Sequence, residues 1–284
     1  MKIPRALQPL IDDGIIDEVL RPLKSGKEAS VYIVRSGTII RCAKVYKDMG
    51  QRSFQQRVTY QEGRQIKGSR QARASAKSTR FGRKEQESAW KNAEVDALYQ
   101  LAAAGVRVPE PYGYFNGVLV MELITDAEGF SAPGLGDVEL TTGQAREFHA
   151  FLIGQIVRML CAGLIHGDLS EYNVLVGPDG PVIIDLPQVV SAAGNNNARM
   201  MLLRDVNNIS ATLGRFAPEL LTTRFGEEMW VLFEKGLLLP ETVLTGVFVS
   251  NETAADVAGT LHAIEDAREE ALRRQLARDE ANLS

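Results

Sequence analysis

Cysteine is scarce in this chain of 284 residues, which contains Cys42 and Cys161 and no others. Both cysteines lie inside apolar runs and they are far apart in sequence, which gives neither a disulfide framework nor a metal-ligand spacing. We therefore expect two buried thiols in a reducing compartment, and we exclude a scaffold held together by disulfides.

Long hydrophobic runs are also missing. No stretch approaches the roughly 18 apolar residues that a membrane-spanning helix requires. The N-terminal sequence MKIPRALQPLIDDG has acids and a proline where a signal peptide has an apolar core. The sequence thus predicts a cytoplasmic protein without a membrane partner, long enough for two lobes with sizeable cores.

Acidic residues are nearly absent from one segment. Residues 51–84 contain ten Lys or Arg against one acid, Glu62, so the segment carries a charge of +9 in a chain whose net charge is −4. The segment has few aliphatic residues and cannot bury much surface. We predict a flexible basic loop over residues 48–86, which offers RNA or a ribonucleoprotein a contact through residues 51–84.

The chain on either side of this loop is typical of a small β-rich lobe. SVYIV and TIIRCAKVY are rich in β-branched and aromatic residues and are separated by a Ser-Gly turn. Apolar residues at helical spacing from Glu87 to Ala104, ended by Gly105, predict one helix. PYGYFNG and VLVMELI predict two further strands around an Asn-Gly turn. Together these elements predict an N-terminal lobe over residues 1–124.

Residues 125–284 are typical of a mainly helical lobe. Residues 144–163 are strongly periodic and predict a long helix. LIHGDLSEYNVLV and VIIDLPQVV then predict short strands that flank loops. Beyond Ala198 the pattern predicts helix to the end of the chain, broken at Pro218 and Pro240, with a charged C-terminal helix.

The strongest chemical signal is a set of oxygen-bearing side chains in those two strand-and-loop segments. Asp168 and Asn173 are spaced as D-x-x-x-x-N, and Asp185 ends the apolar run VIID. Mg²⁺ prefers hard oxygen ligands and keeps positions for water and phosphate, so Asp185 and Asn173 suit a metal that bridges nucleotide phosphates. Asp168 is then left to accept or orient a hydroxyl group.

A site that transfers phosphoryl groups also needs a cation near the phosphates. Lys44 lies in the apolar strand CAKVY, where a solvated surface lysine is unusual. Protein kinases pair such a strand lysine with a glutamate on the next helix. Glu94 is the predicted partner of Lys44, and Asp96 is the alternative.

Seven motifs carry a resemblance to a known family. They are SGKEASVY, CAKVYK, WKNAEVDAL, VLVMELI, LIHGDLSEYNVLV, IIDLPQ and LLRDVNNI, which together cover roughly residues 10–235. Through them the chain resembles the RIO family of atypical protein kinases, in particular its first subfamily. The resemblance implies an α+β, two-lobed protein-kinase-like fold, with a small antiparallel-β N-lobe that has one main helix and a mainly helical C-lobe.

The resemblance also implies a role for each matching residue. Asp168 would accept the proton of the attacking hydroxyl or orient it, and Lys44 would bind the ATP phosphates. Asn173 and Asp185 would bind Mg²⁺, with Mn²⁺ as an alternative metal. Members of the family are associated with phosphorylation of the aspartate that matches Asp185, which makes some of them ATPases.

The adenine of ATP would bind at VLVMELI in this family. Met121 would face the adenine, while the carbonyl of Glu122 and the amide of Ile124 would hydrogen-bond its edge. These last two roles belong to the backbone.

The phosphate loop of this chain departs from that of ordinary protein kinases. SGKEASVY has the single glycine Gly26 where the pattern G-x-G-x-x-G has three. The family shares this reduced loop, in which Ser25, Lys27 and Ser30 would approach the phosphates. No A-P-E segment lies between IIDLPQ and LLRDVNNI, so we expect no conventional peptide-docking platform.

The sequence therefore predicts a serine/threonine protein kinase that uses Mg-ATP to phosphorylate itself or a protein substrate, or an ATPase, or both. One alternative is an ATP-switched assembly factor that binds RNA or ribosomal particles. Another is a small-molecule phosphotransferase of the aminoglycoside or choline kinase type, because those enzymes share the HGD-x-x-x-x-N and IID pattern. The residues ahead of Ser25 are too few for the winged helix of the second subfamily, so we expect no DNA-binding module.

Overall fold

The computed structural model describes residues 3–26, 28–47 and 93–248. The chain up to Val247 forms one compact unit, and Phe248 begins a second unit whose other residues lie outside the described ranges. The predicted basic loop and the predicted charged C-terminal helix also lie outside them. Within the described ranges, no helix is long and apolar enough to cross a membrane.

A five-stranded antiparallel sheet with the order β1-β2-β3-β5-β4 dominates the N-terminal part. Its strands, preceded by the short helix α1 (Gln8–Asp12), are β1 (Glu18–Ser25), β2 (Ala29–Ser36), β3 (Ile39–Tyr46), β4 (Pro111–Phe115) and β5 (Val118–Glu122). β1 is an edge strand, and its pairing with β2 shifts register at Leu20 and again at Leu23. An edge strand tolerates Pro22, which has no N–H to donate to a neighbour.

Two tight turns set the register of this sheet. Gly37 adopts φ 63° between β2 and β3, and Asn116 and Gly117 adopt φ 49° and 83° between β4 and β5. Two-residue hairpin turns favour positive φ because their twist matches that of the strands, and Asn and Gly reach it at low cost. Both hairpins predicted from the sequence are confirmed.

Among the described residues, the helix that follows β3 is α2, whose described part covers residues 93–103. Val95, Leu98 and Leu101 are buried on its inner side, in the main hydrophobic core. The helix ends where predicted, because Gly105 adopts φ 73° and leaves the helical path. The predicted beginning of this helix lies before residue 93, outside the described residues.

Up to residue 248, where the described part of the chain ends, three longer helices build the C-terminal part: α3 (Thr142–Cys161), α4 (Ala198–Gly214) and α5 (Phe225–Glu234). α3 starts two residues before its predicted beginning, because Thr141 and Gln144 form a capping box that satisfies amides of the first turn. Its inner face is buried and packs against α4 in the main core. Short 3-10 helices at Leu135–Asp137, Glu171–Asn173 and Pro218–Thr222 connect these elements.

Between α3 and α4 the chain forms two small antiparallel sheets. β6 (Leu164–Ile165) pairs with β9 (Val190–Ser191), and β7 (Val174–Gly177) pairs with β8 (Gly180–Ile183). The predicted Gly-Pro-Asp-Gly turn joins β7 to β8, with Gly180 at φ 110°. The α+β fold with a β-rich part followed by a helical part is confirmed.

Two details of the prediction are wrong. The chain after Glu234 does not continue as a helix within the described residues: it turns at Gly236 and Gly246, which adopt positive φ, on either side of Pro240. Cys42 is buried as predicted, but Cys161 is only partly buried near the end of α3. The predicted boundary between two lobes at residue 124 stays a prediction, because both parts belong to one compact unit.

Candidate active site

The centre of the candidate site is Lys44, in the middle of β3. Side chains alternate along a strand, so Ala43 packs on the face of the sheet that carries α1, and Lys44 projects from the opposite face. There its Nζ lies 2.5 Å from Oε1 of Glu94 on α2 and 3.3 Å from Oδ1 of Asp185. The predicted partner is therefore Glu94, which is 5% exposed, whereas Asp96 points to solvent.

The two carboxylates keep the Lys44 ammonium charged. Burial by itself would lower the pKa of Lys44, but the charges of Glu94 and Asp185 outweigh it and raise the pKa above its usual range. Tyr46 lies on the same face of β3, two residues further on. Burial, helped by the charge of Glu94, raises the pKa of the Tyr46 phenol, which stays neutral.

Asp185 stands at the mouth of this arrangement, two residues after β8 ends. Its backbone adopts φ 66°, which is unusual for a residue other than glycine and is best tolerated by Asp and Asn. The amide of Ile184 donates to the carbonyl of Asn173 at 2.9 Å, which joins the loops that carry the two residues. The Asp185 side chain is 52% exposed, so its carboxylate can reach a ligand in the cleft.

The loop that contains Asp168 is held by several hydrogen bonds. Nδ2 of Asn173 donates to the Asp168 carbonyl at 2.8 Å, and Nε2 of Gln188 donates to Oδ2 of Asp168 at 3.2 Å. His166 is buried, and its Nε2 lies 3.1 Å from the carbonyl of Ile184. Burial lowers the pKa of His166, so it braces the loop as a neutral ring.

Asp205 on α4 is a supporting residue that sequence reasoning missed. Its carboxylate is buried and accepts hydrogen bonds from the amides of Gly167 at 2.7 Å and Leu169 at 2.9 Å, on both sides of Asp168. Burial raises the pKa of Asp205 to about 7, while the two amides oppose the rise. The sequence did contain a signal for this role, because Asp205 is an acidic residue at a position where the periodicity of the helix calls for an apolar one. Gln188 was also missed as the partner of Asp168.

A cleft of about 600 Å³ opens in front of these residues. Lys44, Glu94, Asn173 and Asp185 line its polar end. Its other walls are largely apolar and include Ala29, Val31, Cys42, Leu119, Met121, Ile124, Ala132, Leu175, Ile184 and Leu186. A pocket with apolar walls and a few convergent polar groups suits a flat aromatic ring joined to a charged group.

The three residues predicted to meet adenine line this cleft at the end of β5. Met121 pairs with Cys42 across β3 and β5. The Glu122 side chain forms a bidentate ion pair with Arg107, at 2.7 and 2.8 Å, which lowers the pKa of Glu122 despite its partial burial. The carbonyl of Ile124 accepts from the amide of Ala132 at 3.0 Å.

The residues predicted for the phosphate loop lie at the turn between β1 and β2. The hydroxyls of Ser25 and Ser30 are 3.1 Å apart, and among described residues it is Gly26, rather than either serine, that lines the cleft. Nζ of Lys47 donates to Oγ of Ser25 at 3.0 Å and to the Gly26 carbonyl at 2.7 Å, a tie that sequence reasoning missed. Lys27 lies outside the described residues.

The donor set at the polar end fits a hard divalent cation. Asn173 uses its Nδ2 on the Asp168 carbonyl, which leaves Oδ1 as an oxygen donor, and the exposed carboxylate of Asp185 supplies an anionic one. The described residues contain no cluster of three or more His, Cys, Asp or Glu that would hold a metal by themselves. Two protein oxygens are what a Mg²⁺ shared with phosphates and water requires.

Comparison with known proteins places this chain in a family. The model of the RIO domain matches residues 30–225. RIO-type serine/threonine-protein kinase Rio1 of Haloferax volcanii is 32% identical over 72% of this chain and 66% of its own length. Serine/threonine-protein kinases named Rio1 from Schizosaccharomyces pombe and Homo sapiens are each 30% identical, over 74% and 76% of this chain and 41% and 36% of their own lengths.

This chain thus spans about two thirds of the haloarchaeal relative and less than half of the yeast and human ones. The matched region contains Lys44, Glu94, Asp168, Asn173 and Asp185. Because the RIO domain accounts for most of the chain, the protein belongs to the RIO family.

Proposed function

We propose that this protein is a serine/threonine protein kinase that uses Mg-ATP to phosphorylate itself and protein substrates, and that it also hydrolyses ATP. The observation that carries the proposal is the ion-pair triad of Lys44 with Glu94 and Asp185, at the polar end of a cleft that also contains Asn173. The names of the Rio1 relatives agree with it. As part of the same proposal, the protein acts in the cytoplasm.

The adenine of ATP would enter the apolar part of the cleft. Met121 would lie against the ring, and the Glu122 carbonyl and Ile124 amide would hydrogen-bond its edge. The bidentate ion pair between Arg107 and Glu122 holds the end of β5, which keeps these backbone groups in place.

The phosphates would lie at the polar end, against Lys44 and the turn that carries Ser25, Lys27 and Ser30. Glu94 aims the Lys44 ammonium into the cleft, which leaves little reorganisation for the reaction itself. When bound, Mg²⁺ (or Mn²⁺) neutralises charge on the phosphates, and Asn173 and Asp185 would hold it. Positioning and charge neutralisation supply most of the rate in such sites.

Asp168 would accept the proton of a serine or threonine hydroxyl, or orient that hydroxyl for attack. The Gln188 amide fixes one of its oxygens, and Asp205 fixes the backbone on both sides. Asp185 would be a second phosphate acceptor: its carboxylate oxygen would bond to the terminal phosphorus as the bond to the ADP oxygen breaks. Water would then release phosphate and regenerate the carboxylate, which is ATP hydrolysis.

The test is transfer of labelled phosphate from ATP, with Asp168→Ala compared with the unmodified protein. We expect phosphate transfer to fall by about 10² to 10⁴, because the residue that handles the hydroxyl proton is gone. Binding of ATP should be retained, because Asp168 is not among the described residues that line the cleft. Unchanged turnover in this variant would remove Asp168 from the mechanism.

The same labelling separates the two activities. Label that survives acid is on serine or threonine, whereas label released by hydroxylamine is an acyl phosphate, for which Asp185 is the candidate. Absence of both kinds of label, with no release of phosphate, would refute the proposal as a whole.

The two alternatives predicted from the sequence have less support. A small-molecule phosphotransferase is disfavoured by the protein-kinase names of the relatives, and stimulation of ATP turnover by an aminoglycoside or amino alcohol would revive it. An assembly factor that binds RNA rests on residues 51–84, outside the described ranges. It requires salt-sensitive RNA binding that is lost when residues 51–84 are deleted.

A further inference from the structure

A second concave surface lies along the outer face of α4. It has a volume of about 600 Å³ and is lined by Asn196, Asn197, Arg199, Met200, Leu203, Arg204, Asn207 and Asn208. We call these eight residues the α4 groove. Asn196 and Asn197 precede the first residue of α4. The other six recur every three to four positions, which places those six on one face of the helix, opposite the buried face that contains Asp205.

The α4 groove has the chemistry of a peptide site. Four of its eight side chains are carboxamides, and each carboxamide both donates and accepts hydrogen bonds, as an extended peptide backbone does. Two are arginines: Arg199 is exposed and presents a planar guanidinium group that matches a carboxylate, whereas Arg204 is engaged with the carbonyl of Gly167. Among the described residues that line the groove none is acidic, so its formal charge is +2.

The α4 groove starts beside the proposed catalytic loop. Arg204 donates a hydrogen bond to the carbonyl of Gly167, and Nδ2 of Asn208 donates to the carbonyl of Leu169 at 2.9 Å. These two carbonyls flank Asp168 in the chain. A peptide lying along α4 therefore has one end near the carboxylate that would receive its hydroxyl.

We propose that the α4 groove binds an acidic segment of the protein substrate and so delivers a neighbouring serine or threonine to Asp168. The inference rests on the proposed kinase function. It adds that the preferred protein substrates carry acidic residues near the serine or threonine that is phosphorylated. It also answers a question raised by the sequence, which has no A-P-E segment between IIDLPQ and LLRDVNNI to serve as a docking platform.

The composition of the groove favours a peptide over a nucleic acid strand. Proteins that bind single strands supply aromatic rings on which bases stack, and the described lining of the α4 groove contains no aromatic residue. It contains Leu203 and Met200, which is 58% exposed. Met is an adaptable apolar contact for side chains of varied shape.

A charge reversal at Arg199 tests the proposal. Two peptides carry the same central serine, flanked by glutamates in one and by lysines in the other, and kcat/KM is measured for each. The unmodified protein should prefer the glutamate peptide. Arg199→Glu should lower kcat/KM for the glutamate peptide about tenfold and raise it for the lysine peptide, because an attraction becomes a repulsion.

The matched control is Arg215→Glu. Arg215 is also exposed and caps the C-terminal end of the same helix, but it does not line the groove. This variant should keep the preference of the unmodified protein, and the KM for ATP should stay the same in both variants. An unaltered peptide preference in Arg199→Glu would overturn the proposal, as would a loss of RNA binding in that variant without a change in peptide preference.

Failure of the kinase proposal would look different. In that case the unmodified protein transfers phosphate to neither peptide, and binding of the fluorescent glutamate peptide, followed by anisotropy, decides the role of the groove. Weaker binding to Arg199→Glu than to Arg215→Glu supports the α4 groove as the acidic-peptide site. Equal binding to the two variants, or no binding to the unmodified protein, overturns it.

Discussion

At the scale of single residues, the cleft is organised around the charge of Lys44. One ammonium faces two carboxylates, those of Glu94 and Asp185, and the group as a whole carries a formal charge of −1. The two acids differ in environment, since Glu94 is buried and Asp185 is half exposed. Glu94 is thus suited to hold the lysine permanently, and Asp185 is suited to exchange partners when a ligand enters.

Replacement of Glu94 tests whether this residue holds Lys44 in position. Glu94→Gln keeps the shape of the side chain but removes the charge that fixes Lys44, so we expect kcat/KM for phosphate transfer to fall by about 10². Steady-state assays at saturating Mg²⁺ provide the measurement. Asp96→Asn is the control on the same helix: Asp96 is exposed, and its loss should leave the rate unchanged. The reverse ranking of the two variants would reassign the partner of Lys44.

The residues of the site differ in how far sequence could identify them. Lys44 and Glu94 were predictable although 50 positions separate them, because a charged residue in an apolar strand needs a partner and protein kinases pair such a lysine with a glutamate on the next helix. Asp205 and Gln188 were not assigned, because their partners depend on tertiary contacts 20 to 38 positions away in the chain. Periodicity shows that a residue is buried, but it does not show which amide the residue meets.

At the scale of elements, α3 and α4 are joined by a buried polar contact. Nε2 of His149 on α3 lies 2.9 Å from Oγ of Ser210 on α4, and both side chains are buried. Burial lowers the pKa of His149 to about 4, from an ordinary value near 6.5. The folded protein therefore holds this imidazole in its neutral form.

This contact makes stability depend on pH. The unfolded chain protonates His149 below about pH 6.5, whereas the folded chain resists protonation down to about pH 4, so stability is full above pH 6.5 and falls as the pH drops. Between pH 7.5 and 5 the free energy of unfolding should fall by about 2 kcal/mol more in the unmodified protein than in His149→Gln. Urea unfolding at the two pH values measures the difference. Equal losses would mean that His149 titrates normally.

The boundaries of the elements follow local chemistry that periodicity does not contain. The start of α3 is set by the hydrogen bonds between Thr141 and Gln144, and the end of α2 is set by the backbone of Gly105. The end of α2 could be predicted from the sequence, because glycine is a strong signal for the end of a helix. The short 3-10 helices were not predicted, because three to five residues carry no readable period.

At the scale of the whole molecule, Arg107 connects the sheet to the helical part. Its side chain pairs with Glu122 at the end of β5. Its amide donates to the buried Gln155 on α3 at 2.7 Å, and its carbonyl accepts from the amide of Ile183 on β8 at 3.0 Å. One residue thus ties the strand that would hold adenine to the strand that leads to Asp185, so ligand binding and global stability should be linked.

Thermal unfolding in the presence of nucleotide measures how much ligand binding stabilises the fold. A ligand at 100 times its Kd stabilises the folded state by about 2.7 kcal/mol, which raises the Tm of a chain of this size by roughly 5 °C or more. With a slowly hydrolysed ATP analogue, we expect one part of the rise to require Mg²⁺ and to vanish when EDTA is added. Asp185→Asn should lose the same part, because the amide is a weaker ligand for a hard cation.

Asn tolerates the positive φ at position 185 nearly as well as Asp does, so this substitution removes charge without backbone strain. The matched control is Asp179→Asn, which removes the same charge from the exposed turn between β7 and β8 and should keep the full Mg²⁺-dependent rise. A rise in Asp185→Asn equal to that of the control would show that the metal binds without Asp185. That result would leave Lys44 as the partner of this carboxylate among the residues that the structure describes, and would limit Asp185 to positioning the lysine.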